Sequence, residues 1–389
     1  MAETGADFSL VSGGPLYRLL LRLRLMARPV RLLPRRIVVF TALTWLPLLA
    51  FSLAEGRAFG TTTLPFLRDP SIHAKFLLAL PLVLVAEVVL HNRLGEAVQE
   101  FKRRGIVTTD QEARFDDLVA SALRLRDSIL IELVLFAFAF VSLAWIWNRS
   151  IVPVETWIVD AGGGRAHLTG AGQWLVHVSA PIFQFLILRL YFRLFIWARL
   201  LWQVSKLPLR LLPSHPDRTC GLGFLEDGVP AFAPVLFAQA VAASGLIARR
   251  AQVEGTTVLA FKVDIAILVV ALTIAVLLPL CTMIPKLLEQ RRAGIYHYGG
   301  LGARCVREFE AKWLEGQAPP DEPFVGSPDI SALADIGGGY QNVEGMRPAP
   351  MGLRTVITAA GAAAVPFLPL AFTIYSARDV AERLMKVLL

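Results

Sequence analysis

Apolar residues along this chain gather into long runs. The runs are separated by polar, arginine-rich or Gly- and Pro-rich stretches, not alternated at the two-residue period of a half-buried strand. A helix needs roughly 17–25 mainly apolar residues to cross the roughly 30 Å hydrocarbon core of a bilayer. Seven stretches meet or approach that length: 37–54, 76–90, 127–147, 174–198, 230–248, 264–284 and 353–377. The run 264–284 is the least interrupted and 76–90 is the shortest, while 230–248 and 353–377 carry prolines and many alanines. The pattern predicts an all-α fold, a polytopic transmembrane helical bundle of about seven spans with cytoplasmic helical extensions and no β-sheet domain.

The polar stretches divide the chain. Residues 1–36 form a basic segment whose part from Pro15 to Arg36 reads as an amphipathic helix lying on an anionic membrane surface. The bundle runs over 37–377 and leaves three larger loops, 91–127, 201–229 and 286–352, and a short amphipathic tail follows at 378–389. Within 91–127 the residues favour helix, so the second and third spans are expected to extend beyond the membrane. The loop 286–352 reads as helical through Leu314 and then Pro- and Gly-rich, with a turn expected at Asp335-Ile336-Gly337-Gly338-Gly339-Tyr340. No internal repeat is evident.

Composition agrees with the pattern. Of the 389 residues 55% are hydrophobic and 18% charged, with a mean hydropathy of +0.56. Soluble domains carry about 25% charged residues, and soluble monomers avoid large exposed apolar patches. The net charge of +8 would suggest nucleic acid in a soluble protein, but here the basic residues flank apolar runs and no nucleic-acid signature accompanies them. The N-terminal segment and the three larger loops hold 24 Lys and Arg, whereas the alternate loops and the tail hold ten. By the positive-inside rule the heavier side is cytoplasmic. The expectation is therefore a bacterial inner-membrane protein with a cytoplasmic N-terminus, a periplasmic C-terminus and no cleavable signal peptide. Trp145, Trp147, Trp157 and Trp174 fall where the third and fourth spans would meet the outer interface, a level that suits an amphipathic ring.

Ionisable residues inside spans are functional candidates, because charge in hydrocarbon is costly. Glu87 and His91 lie four apart on one face of the second span, Glu132 lies one turn into the third, and Arg189 and Arg193 lie four apart in the fourth. All five belong at similar depth, towards the cytoplasm. They could form a buried network, line a vestibule for ions or protons, or reach anionic lipid phosphates by snorkelling.

A second candidate is the string His215-Pro216-Asp217-Arg218-Thr219-Cys220-Gly221-Leu222-Gly223-Phe224-Leu225. Pro216 and Asp217 have turn chemistry, and Gly221 and Gly223 permit positive φ or close approach. Such a loop either holds an anion on Arg218 and exposed N–H groups, or is a turn in which Asp217 and Arg218 satisfy backbone ends. On this string, and on Gly326-Ser327-Pro328-Asp329-Ile330-Ser331-Ala332-Leu333-Ala334-Asp335 with Met346-Arg347 beyond it, the second half of the chain resembles an uncharacterised family of bacterial multi-pass inner-membrane proteins. That family carries a His-Pro-Asp-Arg-x-Gly-Gly-Leu-Gly-Phe-Leu pattern, and Cys220 stands here where it has the first glycine. The resemblance implies a membrane location and no known activity, and it supplies no catalytic residue.

Soluble catalytic signatures are missing, with no P-loop, His-Glu-x-x-His, Gly-x-Ser-x-Gly or kinase set. No catalytic residue, cofactor or metal site is expected. Cys220, Cys281 and Cys305 lack zinc spacing and read as free thiols. Small residues in the fifth and seventh spans suit close helix packing, and Pro234, Pro366 and Pro369 suit bends. The reading the sequence favours is a channel or transporter for a small ion or solute; the alternatives are a non-catalytic scaffold or sensor that binds a cytoplasmic protein partner through its loops, and a lipid-handling enzyme. Anionic inner-leaflet lipids and a second copy of the chain are further partners consistent with it, and nucleic acid is not.

Overall fold

The computed structural model describes residues 8–10, 13–23, 32–60, 62–150, 155–161 and 166–371. The expected tail at 378–389, part of the basic segment and the last residues of the seventh span lie outside them. The described chain forms eleven helices: α1 Pro15–Arg22, α2 Leu33–Ala54, α3 Pro70–Arg103, α4 Glu112–Arg126, α5 Ile129–Ser150, α6 Gly170–Val204, α7 Gly223–Glu254, α8 Val258–Cys281, α9 Ile284–Phe309, α10 Pro328–Glu344 and α11 Leu353–Leu370. One two-residue strand pair, β1 Val159–Asp160 and β2 His167–Leu168, is antiparallel with Val159 opposite Leu168. The fold is all-α.

Helices α2, α3, α6, α7, α8 and α11 are each long and apolar enough to cross a membrane, and Thr109–Arg126 with Ile129–Trp145 meets the same test as a pair bent by 43°. That makes six spans, or seven with the bent pair. The second span is much longer than its apolar run of 76–90. At 34 residues and 1.5 Å per residue, α3 is about 50 Å long, well beyond the hydrocarbon core.

Two helical hairpins, α2–α3 and α5–α6, share a plan that sequence similarity does not reveal. In each, a 22-residue helix leads into a longer one that opens on a side-chain cap, Asp69 accepting from the Ser71 N–H and Thr169 from that of Gly172. Each longer helix then widens into a π turn, Ala74–Ala79 or Leu175–Ser179, followed by Pro81 or Pro181. Proline lacks an N–H and crowds the carbonyl four residues back, and the wider turn relieves both problems. Helix α6 is the most buried of the spans. It packs against α4, α5 and α8, while α7 packs against α3 and α11.

At the end of the bundle where α3 and α6 begin, a compact cap closes the fold. Trp157 is fully buried there, edge-on to Phe66 at 5.0 Å, and donates its indole N–H to Asp69 at 2.9 Å. Its indole N–H satisfies the buried Asp69 carboxylate, as an acceptor in an apolar cap requires. Arg57 ties the strand pair to the cap through Asp160 at 2.6 Å and the Thr156 carbonyl at 3.0 Å.

At the opposite end, α9 and α10 form a hairpin. The turn expected at Asp335 to Tyr340 is helix instead. Ser327 caps α10 by accepting from the Asp329 N–H, and Pro328 sits in its first turn, a strong start signal. Glycines cost about 1 kcal/mol each inside a helix, and Gly337 and Gly338 face open space. Gly339 faces Tyr298, while Gly299 and Gly302 of α9 face Tyr340 and Ile336. Packing across the hairpin overrides the local preference.

Close approach of α7 to the start of α3 rests on Gly245. A Cβ there would meet the Ala74 Cβ at 2.6 Å and the Pro70 carbonyl oxygen at 2.9 Å. Gly245→Val is expected to lower stability by about 1–3 kcal/mol, the usual cost of overpacking, read as a lowered unfolding midpoint in detergent. An unchanged midpoint would mean that the two helices separate freely here.

Candidate functional site

Glu87 lies in α3, buried with 2% of its surface exposed. One of its carboxylate oxygens accepts from the Arg36 guanidinium of α2, and the other accepts from Arg189 and Arg193 of α6 at 2.9 Å each. All three arginines are buried. Arg189 also reaches Glu132 of α5 at 3.2 Å and donates to the Gly13 carbonyl at 3.1 Å. Four of the five intramembrane candidates thus meet in one network. His91 stands one turn from it and contacts the Ser9 hydroxyl at 2.5 Å instead.

The chain before the first span seals this network. Phe8 and Leu10 are buried, and the Phe8 carbonyl sits close against Gly95 of α3. At the start of α1, Asp127 accepts from the Gly14 N–H at 2.8 Å and Glu132 from that of Leu16 at 3.3 Å. The first N–H groups of a helix have no partner within it, and carboxylates there also complement the helix dipole. Glu132 therefore serves both α1 and Arg189. Arg126 closes the arrangement by donating to Asp127 at 2.7 and 2.9 Å and to the Ser9 carbonyl. Beside Arg126, Arg189 and Arg193 lies a cavity of about 10 Å³, the order of size that holds a single water.

Arg36, Arg126 and Asp127 belong to the site and were not among the sequence candidates. Arg36 read as one of seven basic residues flanking a span. The structure places Arg36 as the fourth residue of α2, immediately before the apolar run that starts at Ile37.

The motif loop resolves in favour of a turn. The Asp217 carboxylate accepts from the backbone N–H groups of Thr219, Gly223 and Gly221 at 2.8, 2.9 and 3.1 Å, and lies 2.9 Å from His215 Nδ1. The N–H groups that might have held an outside anion are occupied by the loop's own side chain. Arg218 and Cys220 adopt φ of 56° and 59°, the left-handed region that glycine enters without strain. That conformation gives a physical reason for glycine at the position Cys220 holds. The loop clasps the second candidate stretch. The Arg218 carbonyl accepts from the Arg347 N–H at 2.8 Å, and the Arg347 guanidinium reaches the Asp217 carbonyl at 3.1 Å and Glu226 at 3.2 Å. Glu226 in turn accepts from the Gly352 N–H at 2.9 Å and from the Thr355 hydroxyl at the start of α11. Ser214 meets the Tyr298 hydroxyl at 2.7 Å and accepts from Asn342 at 3.3 Å, which anchors the base of the α9–α10 hairpin.

Electrostatics in the clasp follow from this geometry. Partial burial opposes ionisation of Asp217, but the three backbone N–H groups outweigh it and hold its pKa below the usual carboxylate value. Burial, with Asp217 nearby, pushes the Cys220 thiol up to about 12. Its sulfur lies 3.8 Å from that of Met346. Among the described residues no group of three or more His, Cys, Asp or Glu is placed to hold a metal, and the three cysteines are free thiols.

The spans, the buried ion network and the sealed ends define the class: the protein is an all-α, multi-pass membrane protein. No family model, curated protein or solved structure matches the chain.

Two outcomes are expected. A depressed folded-state pKa contributes stability that is present above the unfolded value of about 3.9 and lost as pH falls through the folded value. Wild-type protein should therefore lose stability steeply below about pH 4, whereas Asp217→Asn should begin weaker at neutral pH and show a shallower acid limb. Equal acid limbs in unfolding curves would contradict the clasp. Cys220 should resist alkylation at neutral pH until the protein unfolds, because the thiolate is the reactive form. Mass spectrometry of the labelled protein reads this directly.

Proposed function

We propose that the protein is a bacterial inner-membrane scaffold that holds a basic protein partner on its α9–α10 hairpin. The observation that carries this reading is the hairpin's isolation. Gly294 packs on Pro213 and Val343 and Tyr298 meets Ser214 at the hairpin's base, and the main packing partner of α9 is α10. Its outer surface exposes Tyr296, Leu314 and Val325 at 81%, 75% and 85%. These side chains are open to a partner with an apolar face. Between Ile284 and Glu344 nine acidic residues stand against six basic ones, in a chain whose net charge is +8, so the hairpin favours a basic partner with an apolar face. Its tip is held firm. Lys312 reaches Glu322 at 2.6 Å and Asp329 at 2.8 Å, and Trp313 packs edge-on to Phe324 at 5.1 Å. The excess of Lys and Arg at the motif-loop end supports a cytoplasmic hairpin, and the family resemblance supports the bacterial inner membrane.

A channel or transporter for a small ion or solute is the second reading, favoured by the buried charged network and the π turns in α3 and α6. No observation favours the lipid-handling enzyme, since Asp217 occupies the N–H groups of the loop that motivated it.

Pull-down of full-length protein from detergent tests the first reading. Replacing residues 298–342 by a short flexible linker should abolish capture of a specific partner, and Leu314→Asp with Val325→Asp should weaken it about tenfold or more, as loss of central apolar anchors does. The same partners at the same yield in all three proteins would overturn the scaffold reading.

A further inference from the structure

We propose that the cavity beside Arg126, Arg189 and Arg193 binds a single halide-sized anion, independently of any partner on the hairpin. Three guanidiniums line it, together with Ser128 and one carboxylate, Glu132. The side chains of Arg126, Arg189 and Arg193 are 6%, 6% and 3% exposed. Sign, size and donor supply point to the same occupant.

The sign comes from the charge balance. Among the described residues of the connected network, Arg36, Arg126, Arg189 and Arg193 stand against Glu87, Asp127 and Glu132. Four buried or nearly buried cations face three carboxylates. At the cavity itself three guanidiniums face one carboxylate, and positive surroundings of low dielectric favour a bound anion. Arg36 shows the same deficit locally: its Nε and Nη1 are buried and have no acceptor among the described residues.

Size selects among anions. A cavity of about 10 Å³ has room for the centre of one water-sized particle. A chloride or bromide ion fits that space with small adjustment, whereas phosphate and sulfate, with five heavy atoms, do not. The walls completed by Leu135 and Phe192 are apolar, which suits a weakly hydrated monovalent ion.

Donors are available for it. A guanidinium carries five N–H groups. The contacts of Arg126 and those of Arg189 engage three nitrogens each, which leaves an N–H on a terminal nitrogen of each free to turn to the cavity. The Ser128 hydroxyl accepts from the Ile131 N–H at 3.4 Å and keeps its own proton to donate. Glu132 does not compete for the space, because its carboxylate is held by Arg189 and by the start of α1.

Chlorine-35 NMR on full-length protein in detergent tests the proposal, since a bound chloride relaxes far faster than a free one. The expected result is saturable line broadening in chloride buffer, reversed by bromide and unaffected by gluconate or sulfate at equal ionic strength. Arg126→Gln should weaken chloride binding roughly tenfold, the loss of one charge-assisted hydrogen bond. Ser128→Ala leaves every ion pair in place and should weaken it by a smaller factor, which keeps the test valid if Arg126→Gln fails to fold. Chloride and bromide, but not gluconate, should also raise the thermal midpoint of the wild type. Broadening no greater than in buffer alone, or broadening unchanged by Ser128→Ala and by any folded Arg126→Gln protein, would overturn the site. Equal displacement by sulfate would likewise overturn it, since it would indicate only a diffuse surface charge effect.

Discussion

A single carboxylate, that of Glu87, holds the first half of this molecule in register. Its two oxygens take guanidiniums from α2 and α6, so three spans meet at one buried point. Charge is costly inside a membrane protein, and removing one partner of a buried ion pair costs about 3–5 kcal/mol because the other is left uncompensated. The lengths of α3 and α6, their matching π turns and the prolines that follow them all serve to bring residues 87, 189 and 193 to one level. Residues 8–10 and 13–22 then pack over that level, where Asp127 and Glu132 accept from the first N–H groups of α1.

Much of this was legible in the chain. Apolar run length alone located the spans, because backbone groups in lipid must be satisfied within the helix. Charge inside a run marked Glu87, Glu132, Arg189 and Arg193. What stayed hidden was pairing in space. Arg36 looked like one more residue in a basic flank. His91 shares a helix face with Glu87 and yet turns to Ser9, a partner 82 residues away. Asp335 to Tyr340 carries three consecutive glycines and reads as a turn on any local scale. The structure makes it helix, started by the Ser327 cap and Pro328 and packed along α9, with Gly339 against Tyr298. The partner of Trp157 was equally hidden: Asp69, which takes its indole N–H, has no distinguishing mark in the sequence.

The motif loop and the long loop before α11 resemble each other in no way as sequence, yet they form one object. Asp217 organises the first, Arg347 inserts from the second, and Glu226 joins both to α11. This clasp has the features of a structural joint: donors and acceptors are paired, the thiol at its centre is buried and protonated, and left-handed residues fix the chain's path. It fixes the base of the α9–α10 hairpin through Ser214, Tyr298 and Asn342.

Whether Glu87 acts as the common counter-ion is tested most directly by a double-mutant cycle on unfolding free energy in detergent, pairing Glu87→Gln with Arg193→Gln. The interaction described here predicts that the double variant is more stable than the sum of the single losses implies, with a coupling of about 1–3 kcal/mol. Losses that simply add, to within about 0.5 kcal/mol, would contradict it.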